Sequence, residues 1–426
     1  MPTARCTSIG IPTARRRGSI IPDDIRASSS PARPAPAAGS SSRIAAIHYA
    51  TAEPVILDVA DGKIAAIEPY TGHGATAETL PTIAPGLVDL QINGYCGHDF
   101  NAPPFAQDMV SQVVRLLWRQ GVTSFCPTVI TNSPEAIAGA VATIARACGA
   151  DAAANQAIAG IHLEGPFISP EDGARGAHAR QHVRPPDWDL FSRWQDAAAG
   201  RIRIVTLSPE WPGSCQFIER CLAQGVTVSI GHTSATPPQV ADAVRAGARM
   251  STHLGNGAHL MLPRHPNYIW EQLAQDELWT CLIADGFHLP DQVLKVAMKV
   301  KGDRAMLVSD AVALAGMAPG TYDARVGGRV VLTPAGRLHL EANENLLAGS
   351  AQMLVWGIEH LLSHGLADLP RAWEMASTRP ATLLGLAAAG GLTPGAPADF
   401  VLLRRDGNRI HIEGAFKAGQ QVYASL

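Results

Sequence analysis

Short apolar runs alternate with amphipathic stretches between residues 87 and 309, and this alternation constrains the fold more than any other feature. Eight runs have the length and apolar content of buried strands: 87–92, 122–127, 158–163, 202–207, 226–230, 249–252, 280–284 and 305–309. Helical periodicity lies between many of them, as in 108–119, 134–148, 238–246 and 291–301. Eight strands joined through helices predict a parallel (β/α)8 barrel of the TIM type.

A doubly wound open sheet is the alternative architecture for the same alternation. Two features argue against it: no GxGxxG pattern follows the first strand, and polar residues end many strands instead of clustering at one switch point. The chain has 426 residues, of which 46% are hydrophobic, so it can supply a barrel, its core and a small attached domain.

Turn-rich β patterns flank the barrel region on both sides. Near the start, residues 54–57 and 64–67 predict a hairpin, because Asp61 and Gly62 between them suit the positive φ angles of a tight turn. Similar patterns recur later, at 329–332, 337–340, 400–404 and 409–413. They predict a small β-sandwich domain built from both chain ends. Its expected segments are 44–84, 322–345 and 386–426, and the barrel takes up 85–321 and 346–385.

The first 43 residues differ in composition from the rest of the chain. They are rich in Arg, Ser, Pro and Ala and have no sustained apolar period, which predicts a disordered extension. Transit peptides share this composition, so a targeting role is the alternative to an inert extension. The segment lacks the apolar core of a secretory signal, and no run approaches the ~20 apolar residues that span a bilayer. We therefore expect a cytoplasmic protein.

Net charge and cysteine spacing narrow the choice of partners. A formal charge of -3 creates no basic field, so nucleic acid and anionic membranes are poor partners and a small molecule is favoured.

The seven cysteines are scattered without a CxxC pair. This spacing argues against a disulfide framework and against a thiolate zinc site.

Metal-competent or proton-transferring side chains follow four of the predicted strands. Glu164 follows the third strand, His232 the fifth, His253 the sixth and Asp310 the eighth. The C-terminal ends of barrel strands surround one mouth, so we expect these side chains to converge. Two imidazoles and a carboxylate suit zinc or ferrous iron and leave coordination positions open for water and substrate. The pattern predicts a catalytic metal site rather than a closed structural one.

Specific motifs surround these strand ends. They are His-Leu-Glu-Gly-Pro-Phe at 162–167, Gly-Ala-His at 176–178, Gly-His-Thr at 231–233, Thr-His-Leu at 252–254 and Ala-Asp-Gly-Phe-His at 284–288. Further matching stretches lie at 85–89, 377–381 and 395–399. In this combination the chain resembles the amidohydrolase superfamily and, within it, the N-acetylglucosamine-6-phosphate deacetylases. The resemblance covers almost everything after the N-terminal extension.

The resemblance implies roles for the strand-end residues. Glu164, His232 and His253 would bind one divalent metal, Zn²⁺ or Fe²⁺. Asp310 would serve as general base and then general acid while water activated by the metal attacks the acetyl carbonyl. His178 would polarise the acetamide oxygen. The implied reaction converts N-acetylglucosamine 6-phosphate to glucosamine 6-phosphate and acetate.

The resemblance also implies contacts to the amino-sugar substrate from Asn256, Gly257, Arg264 and His288. Arg264 matches a phosphate-binding arginine in its offset from His253, and the planar guanidinium suits phosphate. In the resembling enzymes this arginine reaches the site of a neighbouring subunit. A homodimer is therefore expected.

Two departures from the resembling enzymes bear on the metal count and the substrate. Gln91 and Asn93 stand where many superfamily members carry two histidines, and amides are weak ligands, so one metal is expected. Residues 255–258 read Gly-Asn-Gly-Ala instead of Tyr-Asn-Ala-Met, and His265 replaces a glutamate.

Because the side chains at 255–258 are smaller than in the resembling enzymes, the site could accept other substrates. These are another N-acetyl amino sugar, such as a galactosamine type, with or without phosphate, or an N-acyl amino acid. A non-catalytic binding barrel is the remaining alternative. The intact Asp310 beside intact ligands argues against it.

Overall fold

Eight parallel strands form the central sheet of the computed structural model, which describes residues 42–72, 79–325 and 327–425. The strands are Leu87–Ile92, Val122–Ile130, Ile161–Glu164, Ile202–Leu207, Thr227–Ile230, Met250–Ser251, Trp279–Leu282 and Ala305–Leu307. Each pairs in parallel with the next one along the chain. The (β/α)8 barrel predicted from the alternation is confirmed.

The eighth strand returns to the first and closes the barrel. A parallel bridge joins Ile92 to Ala311, just beyond the eighth strand. The backbone N–H of Asp310 donates to the carbonyl of Gln91 at 3.0 Å. The closure brings the ends of the first and eighth strands, which are remote in sequence, into direct contact.

Helices cover the outside of the barrel and bury one face each. They are Gln107–Trp118, Pro134–Ala150, Ala152–Ala157, Trp188–Ala197, Ser214–Ala223, Pro237–Ala246, Tyr268–Ala274, Asp291–Lys301, Leu354–Ser363, Leu369–Met375 and Thr378–Leu383. In the first, Val110, Val113 and Leu117 are buried at helical spacing. Among the helices that the structure describes, none has the length and apolarity needed to cross a bilayer.

The barrel interior is filled by alternate residues of the strands. Val88 with Leu90, and Met306 with Val308, belong to one buried cluster. Successive strand residues point to opposite faces, so these pairs share the inner face. Cys126 lies in the same cluster and is fully buried, where it acts as a small apolar filler.

Both chain ends form a second, seven-stranded sheet beside the barrel. In spatial order its strands are Gln420–Ala424, Arg409–Lys417, Phe400–Asp406, Thr82–Pro85, Ser42–His48, Pro54–Ala60 and Lys63–Pro69. Leu57 and Ile64 from the N-terminal part share an apolar cluster with Phe400 and Phe416 from the C-terminal part. The predicted β unit built from both chain ends is confirmed.

A four-stranded antiparallel sheet differs from the expected grouping. Its strands are Gly320–Ala324, Gly328–Leu332, Leu338–Leu340 and Asn343–Leu347. Among the described strands, none of the seven-stranded sheet pairs with it. Its apolar residues Val330 and Leu338 instead pack against Val312 and Leu314, which follow the eighth barrel strand. A turn-rich pattern shows where hairpins form but not which sheet they join. The domain boundaries stay a prediction.

The predicted disordered extension, residues 1–43, lies almost entirely outside the described residues. Its last two residues, Ser42 and Arg43, are described, and they open the strand Ser42–His48. Arg43 pairs with the carboxylate of Asp58 at 3.0 Å on the neighbouring strand. Within the described residues, the first strand therefore begins at Ser42, two residues before the expected start of the β unit.

Candidate active site

A cleft of about 630 Å³ opens at the C-terminal ends of the barrel strands. Glu164 is the last residue of the third strand, and His232 and His253 each lie two residues beyond a strand. Asp310 lies three residues beyond the eighth strand. All four line the cleft, as does part of the four-stranded sheet. The predicted convergence of the four strand-end residues is therefore present in the structure.

Three potential ligand atoms meet within the cleft. Nε2 of His253 lies 3.0 Å from Oε1 of Glu164, and Nε2 of His232 lies 3.3 Å from the same oxygen. The two Nε2 atoms are 3.1 Å apart. Nδ1 of His232 donates to the carbonyl of Ala174 at 3.0 Å, so its Nε2 presents a lone pair to the cluster. A proton on Nε2 of His253 can bridge these atoms, and a divalent cation in its place would be met by all three donor atoms, so the donor set fits a metal.

The electrostatics of the cluster favour bound positive charge. Burial opposes a charged imidazole, but the hydrogen bond and charge of Glu164, with Asp310, raise the pKa of His253 to about 9. Burial likewise opposes a charged carboxylate, yet His232 and His253 hold the pKa of Glu164 well below its ordinary value. Glu164 is therefore ionised, which a metal ligand must be.

The backbone is strained at three of the four strand-end residues. His232, His253 and Asp310 have φ angles of +49°, +26° and +48°, in the left-handed region that non-glycine residues rarely adopt. Such strain persists only where the surrounding structure overrides it, and it is concentrated at functional sites.

The amide side chains of Gln91 and Asn93 hold the two carboxylates of the site. Nε2 of Gln91 donates to Oε1 of Glu164 at 2.8 Å. Nδ2 of Asn93 donates to Oδ1 of Asp310 at 2.7 Å. These residues entered the sequence analysis only as replacements for metal ligands. Their positioning contacts join residues far apart in sequence, and the Gln-x-Asn pattern at the first strand end was the one available signal.

Asp310 is buried among other charges. Burial, reinforced by the negative charge of Glu164, raises the pKa of Asp310 to about 6, while His253, His288 and Asn93 oppose the rise. A carboxyl group with this pKa is ionised at pH 7 and still accepts a proton readily. That is the property required of a group that takes up a proton and returns it.

His178 is buried beside the ligand cluster. Its ring lies 4.4 Å from that of His232, and its Nδ1 is 2.8 Å from the hydroxyl of Thr131. Burial, with the neighbouring His232, lowers the pKa of His178 to about 3, so the ring is neutral. Glu164, His178 and His232 offer ligand atoms within 4.8 Å of one another. His178 therefore lies within reach of the same bound group as the three predicted ligands.

The predicted substrate contacts divide into two sets. Asn256, Gly257 and His288 line the cleft. Nδ1 of His288 is 2.7 Å from Oδ2 of Asp285, which orients the ring. Arg264 is exposed and is not among the described residues that line the cleft.

Arg325 also lines the cleft, although no sequence pattern predicted it as a site residue. It lies directly after the strand Gly320–Ala324, and its guanidinium donates to the carbonyl of Asn101 at 3.3 Å. An arginine in a turn of a hairpin has the pattern of a solvated surface residue. Only the packing of the four-stranded sheet over the barrel mouth brings it to the site.

The profile of the amidohydrolase family matches residues 82–422. The chain belongs to the amidohydrolase family. This amidohydrolase is 36% identical over 357 residues to the N-acetylglucosamine-6-phosphate deacetylase of Homo sapiens. The matched residues cover 80% of this chain and 83% of the human enzyme. Membership implies a divalent metal, and the buried cluster of Glu164, His178 and His232 is a candidate site for it.

Two further proteins are similar to this amidohydrolase over most of its length. The crystal structure of N-acetyl-D-glucosamine-6-phosphate deacetylase from Mycobacterium smegmatis superposes with a TM-score of 0.79 at 30% identity, over 89% of this chain and 100% of that chain. The N-acetylgalactosamine-6-phosphate deacetylase of Escherichia coli O157:H7 is 30% identical over 370 residues, which cover 85% of this chain and 93% of the relative.

Proposed function

We propose that this amidohydrolase hydrolyses the acetamide of N-acetylglucosamine 6-phosphate, releasing acetate and glucosamine 6-phosphate. The observation that carries the proposal is the meeting of Glu164, His232 and His253 with Asp310 in one cleft. Its volume of about 630 Å³ suits a phosphorylated amino sugar. The similarity to deacetylases of this substrate over four-fifths of the chain supports the same reaction.

One divalent ion, Zn²⁺ or Fe²⁺, would be held by Glu164, His232 and His253. When bound, it supplies a Lewis acid that lowers the pKa of a water molecule and polarises a carbonyl. Gln91 and Asn93 are amides, which are weak metal ligands, and their N–H groups face the carboxylates of Glu164 and Asp310, so one metal rather than two is expected.

Asp310 would carry the proton through the reaction. Its Oδ1 accepts from Asn93, so the carboxylate is held in one orientation with its second oxygen available to the reacting water. Asp310 takes the proton of the attacking water and then delivers it to the amide nitrogen. The C–N bond breaks once the nitrogen is protonated, because an amine leaves far more readily than an amide anion.

His178 would stabilise the charge that develops on the acetamide oxygen. With Nδ1 accepting from the hydroxyl of Thr131, the proton of the neutral ring lies on Nε2. A neutral imidazole N–H beside the cluster can then donate to the oxygen as it becomes negative.

The substrate phosphate has two candidate partners. Arg264 is exposed in a loop, as expected if it reaches the site of a partner subunit in a homodimer. Arg325 lies in the cleft of its own chain and can meet the phosphate without a partner. The dimer and a cytoplasmic location both stay predictions.

A deacetylase of an N-acetylgalactosamine type is the second candidate. Residues 255–258 line the cleft with glycine, asparagine, glycine and alanine, so no bulky side chain limits the orientation of a sugar hydroxyl there. The similarity to the Escherichia coli O157:H7 enzyme fits this candidate as well.

Acetate release from a panel of sugars tests the proposal. The panel contains N-acetylglucosamine and N-acetylgalactosamine, each with and without 6-phosphate, and metal content is measured on the same protein. Preferential turnover of N-acetylglucosamine 6-phosphate is expected. If metal-loaded protein turns over none of these sugars, the proposal is wrong.

Single replacements separate the two phosphate partners. Loss of phosphosugar selectivity in Arg264→Ala, together with a dimeric mass, assigns the phosphate to the partner subunit. The same loss in Arg325→Ala assigns it to the cleft of the same chain.

A further inference from the structure

A second cluster of metal-competent side chains lies on the outer wall of the barrel, away from the cleft. His360 and His364 lie one turn apart at the end of the helix Leu354–Ser363, and Asp291 opens the helix Asp291–Lys301. Nε2 of His360 is 2.9 Å from Oδ1 of Asp291, and Nδ1 of His364 is 2.6 Å from Oδ2. One ligand atom from each residue lies within 4.8 Å of the others.

The arrangement has the chemistry of a cation site. His364 directly follows the helix that carries His360, and the two imidazole rings lie 4.1 Å apart. Two imidazoles and a carboxylate form the nitrogen and oxygen donor set that borderline divalent ions prefer. The side chains of Asp291 and His364 are 36% and 46% exposed, which leaves room for water to complete the coordination.

We propose that Asp291, His360 and His364 form a second divalent-cation site, which takes Zn²⁺ or another borderline ion. The cation would bridge the end of one helix to the start of another. It would be independent of the ion held in the cleft, because the two sites share no residue.

The turn that carries His288 lies against this second site. His288 precedes Asp291 by three residues. On the other side, a Cβ added at Gly286 would lie 3.0 Å from the ring of His360, and Trp356 donates from its indole to the carbonyl of Asp285 at 3.0 Å. A cation that clamps the two helices would therefore also hold the turn 285–290 in place.

Zinc stoichiometry tests the proposal. The full chain is stripped of metal and titrated with ZnCl₂ by calorimetry, with bound zinc counted by elemental analysis. Wild type is expected to bind one more equivalent than His364→Gln. His411→Gln, at an exposed strand position, controls for adventitious binding and should match wild type. Equal stoichiometry in wild type and His364→Gln overturns the proposal.

Two further measurements guard against a folding artefact. Asp291→Asn preserves the size of the side chain at the helix start and removes the charged ligand, so it should lose the same equivalent. Zinc should also slow hydrogen exchange of amides 286–289 in wild type and not in His364→Gln. Unchanged exchange in wild type, or zinc retained by both variants, contradicts the proposal. The outcome does not depend on the reaction in the cleft, since every readout is metal binding or exchange.

Discussion

Asn93 donates from its side-chain amide to Oδ1 of Asp310 at 2.7 Å, although the two residues are 217 positions apart. The bond crosses the seam where the first and eighth strands close the barrel. Asn101 in turn donates to the side-chain oxygen of Asn93 at 3.4 Å. The orientation of the proposed proton carrier therefore depends on the barrel seam.

Removing the hydrogen bond from Asn93 to Asp310 should lower kcat and move the pH dependence of the rate. In Asn93→Ala, Asp310 loses a contact that stabilises its charged form, so its pKa rises above about 6 and its rotation is freed. We expect kcat to fall by roughly 10-fold or more, and the acid limb of the pH–rate profile to move to higher pH. Steady-state rates from pH 5 to pH 9 measure both effects. An unchanged profile, matching the exposed control Asn408→Ala, contradicts the role given to Asn93.

Replacing the proton carrier should separate catalysis from metal binding. Asp310→Asn keeps the size of the side chain and cannot take up a proton at neutral pH. Turnover should fall by about 10²-fold to 10⁴-fold while bound metal is retained. Acetate release and elemental analysis of the same sample give the answer. Loss of the metal together with activity would show that Asp310 is a ligand instead.

Gln91 should control metal affinity rather than the chemical step. Its amide holds Oε1 of Glu164 at 2.8 Å, and groups that orient a ligand typically contribute 10-fold to 100-fold in affinity. Gln91→Leu should weaken metal binding by about that factor, and excess metal should restore most of the activity. Competition with a chelator of known affinity measures the change. An unaltered dissociation constant refutes this role.

A side chain at Gly257 should crowd His232 in this chain, although Ala stands at this position in the resembling enzymes. The φ of Gly257 is +55°, and an added Cβ would lie 2.5 Å from Nδ1 of His232, so the imidazole must leave its bond to Ala174 unless the loop shifts. Because the resembling enzymes accommodate Ala here, the loop 255–258 can move to admit a Cβ, and we expect Gly257→Ala to weaken metal binding and activity without abolishing them. Gly225→Ala is the matched control, since Gly225 has φ of +71° with nothing within 4 Å. The control should lose roughly 1 kcal/mol of stability and keep its activity.

Asp89 should make stability depend on pH. Burial raises its pKa to about 7, against the hydrogen bonds from Ser309 and Gln91 that lower it. The folded protein then binds more protons at this site than the unfolded chain, so the contribution of Asp89 to stability is full below about pH 4 and is lost as pH rises through 7.

Asp89→Asn removes this titration. Between pH 5 and pH 8, ionisation of Asp89 should lower the unfolding free energy of wild type by on the order of 3 kcal/mol, and the variant should not show this loss. Urea unfolding at several pH values measures the difference. Parallel stability curves for the two proteins would show that Asp89 does not titrate in this range.

Local pattern was sufficient for the barrel and for its strand ends. The first and fourth strands were predicted with the observed bounds, 87–92 and 202–207, and the strand-end residues all line one cleft. Strand and helix periodicities are properties of neighbouring residues, and parallel closure places all strand ends at one mouth.

Contacts between remote segments could not be predicted in the same way. The positioning roles of Gln91 and Asn93 depend on partners 73 and 217 positions away. The hairpins of residues 320–347 were predicted in part, but not the separate sheet that carries Arg325 to the cleft.

By itself, the sequence determined the barrel and the four metal-competent or proton-transferring residues at its strand ends, because strand periodicity and residue type are local properties. Their division into metal ligands and a proton carrier is what the resemblance to the deacetylases implies. The tertiary structure alone decided which side chains hold those groups in place, which arginine lies in the cleft, and that the chain bends into strained φ angles at His232, His253 and Asp310. These features depend on closure of the barrel and on packing between distant segments, which no local pattern encodes.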